Sequence, residues 1–312
     1  MAPGVRVIVV GLGVQGRKRL EVAGTDVVAT VDPACPDAAY ASVADVRPDA
    51  YDAALVCTPD DAKVALLAHL LDRGKHVLVE KPLLAPDDAA LERLAALAAR
   101  RGAACYTAYN HRFEPHVARM KTLLDSGELG RIYRCRLFYG NGTAADVRSS
   151  PWRDRGAGVL GDLGSHLLDM VLFWFGPGNW PFRPVACHRF ENAAFDHVVV
   201  AAEGEPGLEL EVTLLSWRNH FTCDIFAERG SAHIASLCKW GPSTFTRRRR
   251  RIPSGRPDEE AVTLAQPDPT WALEYEHFRG LCRTGGSNLE NGLWINRRMN
   301  ELSAAALAGA RP

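Results

Sequence analysis

The feature that most restricts what this chain can become is a glycine pattern near its start, Gly11-Leu12-Gly13-Val14-Gln15-Gly16. Such a G-x-G-x-x-G is common in loops generally, but here an apolar run (5–10) precedes it and a helical pattern (14–23) follows. Strand before and helix after are what give the pattern its meaning. Gly11 permits the tight turn, Gly13 lets the backbone approach a pyrophosphate, and Gly16 lets the helix pack closely on the strand. The start of the helix then offers unpaired N–H groups and partial positive charge to phosphates. Asp32 ends the next apolar run, about 20 residues on, where a carboxylate grips the adenosine ribose hydroxyls. Pro33-Ala34-Cys35 supplies no cation for a 2′-phosphate, and the carboxylate would repel one, so NAD(H) is expected in preference to NADP(H).

The surrounding texture agrees with a dinucleotide fold. Apolar runs at 5–10, 27–31, 53–57, 76–79 and 103–106 lack polar alternation, as strands buried on both faces do. Helical patterns at 14–23, 60–73 and 86–101 separate them, the second stopping at Gly74 and the third opening on Pro86-Asp87-Asp88. Alternation of this length predicts right-handed crossovers and a doubly wound parallel sheet. After Tyr109 the pattern changes. A helix over 113–126, closed by Gly127, reads as a bridge, and strand-like runs follow at 132–139, 185–190, 197–202, 208–217, 221–227 and 232–237. One apolar helix (163–175) interrupts them, and helices near 271–282 and 289–308 close the chain. The fold expected is α/β: a Rossmann domain over 1–120, then a second α/β domain over 121–312 built on a large, mostly antiparallel open sheet. The C-terminal helix is a candidate to pack back on the first domain. A length of 312 residues suits two cores better than one.

Lys plus Arg equals Asp plus Glu at 37 each, so no overall field recruits nucleic acid or an anionic membrane. The first apolar run is too short for a secretory signal, and the run 167–175 contains Asp169 and cannot span a bilayer. Eight scattered cysteines without a Cys-x-x-Cys pair suggest free thiols in the cytoplasm rather than disulfides or a zinc site, and no metal is expected.

Two segments carry candidate chemistry. Glu80-Lys81-Pro82 follows the fourth strand, beyond whose carboxyl end ligands bind in open α/β sheets. Pro82 bars the helical conformation at Lys81 and permits a cis bond. A lysine there could move a proton or equally be an ordinary surface residue. In Trp152-Arg153-Asp154-Arg155-Gly156-Ala157-Gly158-Val159-Leu160-Gly161-Asp162-Leu163-Gly164-Ser165-His166, Asp162 and His166 lie four apart on a helical stretch with apolar flanks. They share a face, where an acid can orient an imidazole. A structural Asp–His pair fits the same spacing.

The order GLGVQG, VDP, EKP, YNHRFEP, then WRD…GAGVLGDLGSHLLD resembles the Gfo/Idh/MocA oxidoreductases (glucose-fructose oxidoreductase, inositol dehydrogenase and relatives). The motifs are dense up to residue 169, with only general texture beyond. The resemblance implies that Lys81 and His166 flank the substrate carbon, with Asp162 beside the histidine. It also implies that Asn110 shapes the site near the nicotinamide, that Arg153 contacts substrate, and that the second-domain sheet carries contacts of a homodimer or homotetramer. His111 reads as a structural or supporting residue, and the glycine-rich stretch departs from the family at Ala157 and Gly161. The expected cofactor set is Gly11, Gly13, Val14, Gln15, Gly16, Asp32, Thr58, Pro59, Glu80, Lys81 and Asn110. The expected substrate set is Lys81, Asn110, Arg153, Asp162 and His166. The activity implied is hydride transfer between nicotinamide and a secondary alcohol or ketone carbon of a sugar, cyclitol or sugar nucleotide.

Other readings are transient use of NAD during elimination or glycoside cleavage, a dinucleotide-binding regulator on the same fold, and reduction of a non-sugar ring. Retention of Lys81, Asp162 and His166 together argues against a purely regulatory protein. The run Arg247–Arg251 is expected to be a solvated charged face, the alternative being a site for an anionic substrate arm.

Overall fold

The five apolar runs of the first part become strands β1 (Val7–Val10), β2 (Val27–Val31), β3 (Ala53–Val56), β4 (His76–Glu80) and β5 (Cys105–Ala108). They form one parallel sheet in the order β2-β1-β3-β4-β5. Every residue of β1 and β3 is buried, which is why neither shows polar alternation. The connecting helices are α1 (Val14–Ala23), α2 (Asp60–Asp72) and α3 (Asp88–Arg101). Helix α3 starts two residues later than the sequence suggests. Asp87 is its cap, with a side chain that accepts from the Ala90 N–H, and Gly102 closes it in the left-handed conformation. The core is built from Ile8, Val10, Val56, Leu67, Leu70, Val79, Leu91 and Leu94. Because the chain leaves β1 for β2 on one side and returns to β3 on the other, the ends of β1 and β3 form the switch point where such sheets bind ligands.

The computed structural model describes residues 4–151 and 153–309; Trp152, at the head of the Trp-Arg-Asp segment, lies outside the described residues. The described chain divides into two compact units. One runs to Asn110 and resumes over Pro269–Arg297; the other covers His111–Asp268 and resumes at Arg298. The expected boundary lay at 120, and this division falls at Asn110. Residues after Asn110 make their bonds inside the second unit: Glu114 accepts from the Cys238 N–H, His116 meets the Ser243 carbonyl, and Trp174 donates to the Val117 carbonyl. Helix α7 (Thr270–Thr284) and the first part of α8 (Leu289–Gly309) belong with the first unit, where Asn296 accepts from the Ala85 N–H at 2.8 Å.

The second unit is an eight-stranded sheet of β6 (Ile132–Gly140), β7 (Phe182–His188), β8 (His197–Ala202), β9 (Gly207–Thr213), β10 (His220–Ala227), β11 (Gly230–Ala235), β12 (Ser243–Arg249) and β13 (Asp258–Leu264). Its order is β13-β12-β11-β10-β6-β9-β8-β7, antiparallel throughout except for β6 beside β9. Alternate residues such as Leu137, Val198, Leu210, Phe221 and Ile234 are buried on one face. Helices α4 (Pro115–Asp125), α5 (Ala144–Arg148) and α6 (Ser165–Phe175) complete the unit, and α4 packs against α6, β11 and β12.

Two strands had no counterpart in the sequence reading. Arg247–Arg249 lie in β12, and β13 runs beside them with Glu260, Glu259 and Asp258 in register. Arg248 pairs with Glu259 at 2.7 Å, Arg251 with Asp258 at 2.6 Å, and Arg247 with Glu128 at 2.6 Å. Arg247–Arg249 thus belong to the strand next to the sheet's edge, Arg250 and Arg251 follow it outside the strand, and the run meets acids from Glu128 and β13.

Candidate active site

In the first unit the glycine pattern forms an open loop. Gly11 has φ +90°, and a Cβ there would come within 2.7 Å of the Cys57 carbonyl oxygen, while one on Gly16 would run into the Gly11 carbonyl. Gly13 differs: a Cβ there meets nothing within 4 Å. Gly13 also caps α1 without a side-chain bond, and Val14 beside it is 74% exposed. Asp32 accepts from the Leu12 N–H at 2.7 Å and the Ala34 N–H at 2.8 Å. These backbone bonds, Leu12's first, hold its carboxyl below the usual range, so it stays anionic at neutral pH. Thr58 follows β3 beside the loop, and its buried Oγ1 finds no hydrogen-bond partner among the described residues. Pro59 precedes α2. An uncapped helix start, clear space over Gly13, an ionised Asp32 and a waiting hydroxyl fit a dinucleotide: Gly13, Val14 and Gln15 would hold its pyrophosphate and Asp32 its ribose.

Glu80, expected among the cofactor contacts, has its carboxylate committed elsewhere. Its Oε1 accepts from Arg19 Nε at 2.7 Å, and Arg19 Nη2 donates to Glu274 Oε2 at 2.6 Å. Arg19 is 1% exposed and stacks on Trp271, 4.3 Å from the ring centre. Burial works against its charge, and the two carboxylates more than offset that, raising its pKa. The next residue, Lys81, enters a cis bond to Pro82. Lys63 holds this turn from below: its buried ammonium donates to the Pro82 carbonyl at 2.7 Å and to Asp60 at 2.6 Å, and burial lowers its pKa. Asn110 is buried, with Nδ2 donating to Thr270 Oγ1 at 2.8 Å.

In the second unit His166 stands in the first turn of α6, 6% exposed. A turn of π-helix over Leu160–Gly164 leads into it, so Asp162 and His166 span a wider coil than the α-helix expected from their spacing. Arg153 Nη2 lies 3.4 Å from Asp162 Oδ2. His111 stacks on His166 with ring centres 4.1 Å apart and planes inclined by 22°. Lys239 Nζ lies 2.8 Å from His111 Nε2 and 3.4 Å from the Tyr139 hydroxyl. An ammonium only donates, so His111 accepts at Nε2 and carries its proton on Nδ1. Burial, aided by the Asp162 carboxylate, pushes the Tyr139 pKa upward, so that phenol keeps its proton.

The sequence named His166, Asp162 and Arg153, and the second unit gathers the last two directly. It did not name Lys239, it singled out Tyr139 only at the head of the turn-rich segment 139–143, and it gave His111 only a supporting part. His111 had a visible signal in the Tyr109-Asn110-His111-Arg112-Phe113 motif. Lys239 had none, since its proximity depends on strand register. Among the described residues, no group of three or more His, Cys, Asp or Glu side chains could hold a metal ion. No described helix is long and apolar enough to cross a membrane.

Two family models match. One, described as "Oxidoreductase family, NAD-binding Rossmann fold", covers residues 5–109, and the other, "GFO/IDH/MocA C-terminal domain", covers 117–233. The chain is 28% identical to trans-1,2-dihydrobenzene-1,2-diol dehydrogenase of Oryctolagus cuniculus over 79% of this chain and 75% of that protein. It is 30% identical to glucose-6-phosphate 3-dehydrogenase of Bacillus subtilis, over 41% of this chain and only 37% of that one. An inositol dehydrogenase homologue from Azotobacter vinelandii, solved with NADH and myo-inositol, superposes with a TM-score of 0.79 at 18% identity. That likeness of fold covers 99% of this chain and 97% of that one.

Proposed function

Because the chain belongs to the Gfo/Idh/MocA family of NAD-binding oxidoreductases, we propose that it interconverts a secondary alcohol and a ketone on a sugar, cyclitol or sugar nucleotide. The observation that carries this reading is a dinucleotide loop with an ionised Asp32, in a chain that also buries an imidazole at His166. Relatives named for a sugar phosphate and an inositol support the sugar and cyclitol class, and the relative named for a ring diol supports a secondary ring alcohol as the reacting group. With NAD(H) held by its pyrophosphate at the loop, the nicotinamide would supply the hydride acceptor or donor. His166 takes the alcohol proton during oxidation, Lys81 donates a hydrogen bond to the oxygen, and Asp162 holds the imidazole tautomer and supports its charged form. Arg153 fixes Asp162 and reaches substrate, and Asn110 shapes the nicotinamide end. Eight free thiols suit the cytoplasm. The sheet of the second unit, with Tyr133 and Phe226 exposed on it, suits a homodimer or homotetramer, to be read by light scattering.

The test is a panel of sugars, inositols and nucleotide sugars with NAD and NADP, following reduced-nicotinamide absorbance. We expect turnover with NAD, and a His166→Ala protein that still quenches on NADH addition but turns over about 10²–10⁴-fold more slowly. Undiminished turnover in that variant removes His166 from the chemistry.

A further inference from the structure

Lys81 follows the last residue of β4, and a buried cation holds each of its chain neighbours. On one side Arg19 donates to Glu80 Oε1 at 2.7 Å; on the other Lys63, 2% exposed, donates to the Pro82 carbonyl at 2.7 Å. We propose that Lys63 is a positioning residue for Lys81: its ammonium fixes the backbone from which the Lys81 side chain serves the substrate oxygen. This rests on the oxidoreductase reading, in which Lys81 donates to that oxygen, and it adds a residue that touches neither substrate nor cofactor.

Place in the chain is the first argument. Lys63 stands in the first turn of α2, just after Thr58 and Pro59, which leave β3 beside the glycine loop. Its side chain crosses from there to the turn after β4, the strand that pairs with β3. One ammonium therefore ties the segment flanking the dinucleotide loop to the segment carrying Lys81. A shared frame of this kind matters because a misplacement of about 1 Å can cost about 10²-fold in rate.

The second argument is cost. Lysine is almost never fully buried unless paired, and the acid that pairs with Lys63, Asp60 at 2.6 Å, has a side chain 46% exposed. Water shares that carboxylate, so it is a weak counter-charge for a buried ammonium, and burial lowers the Lys63 pKa. A carbonyl needs only a neutral donor. A charged donor is shorter and stronger, which suits a bond whose task is to hold one geometry.

The third is the order of anchors along the turn. Glu80 pairs with Ala108 at the end of the sheet, the Pro82 carbonyl accepts from Lys63, and the Ala85 N–H donates to Asn296 at 2.8 Å. Among these, the Lys63 bond acts on the residue directly after Lys81, from 19 positions away in the chain.

The experiment is a double-mutant cycle on Lys63→Met and Lys81→Met with the best alcohol of the panel, NADH Kd and Tm being measured on every protein. Lys63→Met should lower kcat about 10–100-fold with NADH Kd unchanged. In the Lys81→Met background the same change should cost almost nothing further, because the group it positions is gone. Lys63→Arg, which keeps a charged donor, should recover most of the rate, and Asp60→Asn, which spares the bond to Pro82, should stay close to the parent. Full kcat in Lys63→Met, a loss that multiplies with that of Lys81→Met, or one that simply tracks Tm and NADH Kd overturns the positioning role. If Lys63→Met does not fold, Lys63→Gln takes its place in the cycle. Undiminished turnover in Lys81→Met overturns the reading of Lys81 and this inference with it. If no alcohol turns over, trinitrobenzenesulfonate labelling of Lys81, read by peptide mass, decides instead: NADH should shield Lys81 in the parent but not in NADH-saturated Lys63→Met. Shielding kept in the variant overturns the inference alone; no shielding in the parent overturns both.

Discussion

Replacing Arg19 by methionine should be among the most damaging single changes in the first unit. The side chain is buried between Glu80 and Glu274, at 2.7 and 2.6 Å, and one cation serves two acids. Methionine keeps much of the volume but leaves two carboxylates, one of them wholly buried, without their counter-charge. Breaking a buried pair by removing one partner costs about 3–5 kcal/mol, and the doubled acid places this case at the upper end. At about 2–4 °C of Tm per kcal/mol for a unit of this size, the melting temperature should fall by about 10–20 °C. Glu274→Gln is the contrast. It leaves Arg19 and Glu80 matched one to one and keeps a neutral acceptor, so about 1–3 kcal/mol is expected. Thermal unfolding followed by tryptophan fluorescence, with Trp271 on the triad itself, gives the readout. Changing all three residues to apolar ones of similar volume should recover most of the loss. An Arg19→Met protein within 1 kcal/mol of the parent, or a Glu274→Gln protein that suffers more, would refute the clamp.

Three further outcomes follow from the first unit. Gly13→Ala has open space for its methyl, so stability should change by less than about 0.5 kcal/mol, while NADH affinity drops about tenfold because the methyl stands where the pyrophosphate must approach. Gly11→Ala should behave oppositely, unfolding more readily, because its φ of +90° and the Cys57 carbonyl oppose a side chain; melting curves and NADH titrations of the two proteins separate the cases. His76 Nδ1 accepts from the Ala104 N–H at 2.9 Å, and burial lowers its pKa below the usual 6.5. With the folded pKa depressed, its contribution is complete above 6.5 and is lost as pH falls through the folded value. Urea midpoints at pH 7 and pH 5 should therefore diverge less in His76→Gln than in the parent, and equal divergence would exclude the effect.

The parallel sheet was legible because its inner strands, β1 and β3 above all, are buried on both faces and read as unbroken Val and Ala runs. The glycine loop and Asp32 were legible because their chemistry depends on residue type at fixed spacing. Strands β12 and β13 escaped because both carry charges where alternation would be apolar, and the match of Arg248 to Glu259 exists only once the register is known. Lys239 escaped for the same reason: it reaches His111 across 128 positions of chain. Arg19 looked like any surface residue of a helix, and nothing local announces that Glu274 will meet it.

The edges of the large sheet carry one more consequence. The outermost strand on one side, β13, opens with Asp258-Glu259-Glu260, and that on the other, β7, contains Pro184, with the register slipping between Pro184 and Ala186. A stray strand approaching the first margin with the same sequence brings carboxylate against carboxylate; at the second it finds a missing amide and a kinked ladder. Eight strands could otherwise template endless stacking into fibrils, so these short stretches act as stoppers that keep the protein dispersed when crowded.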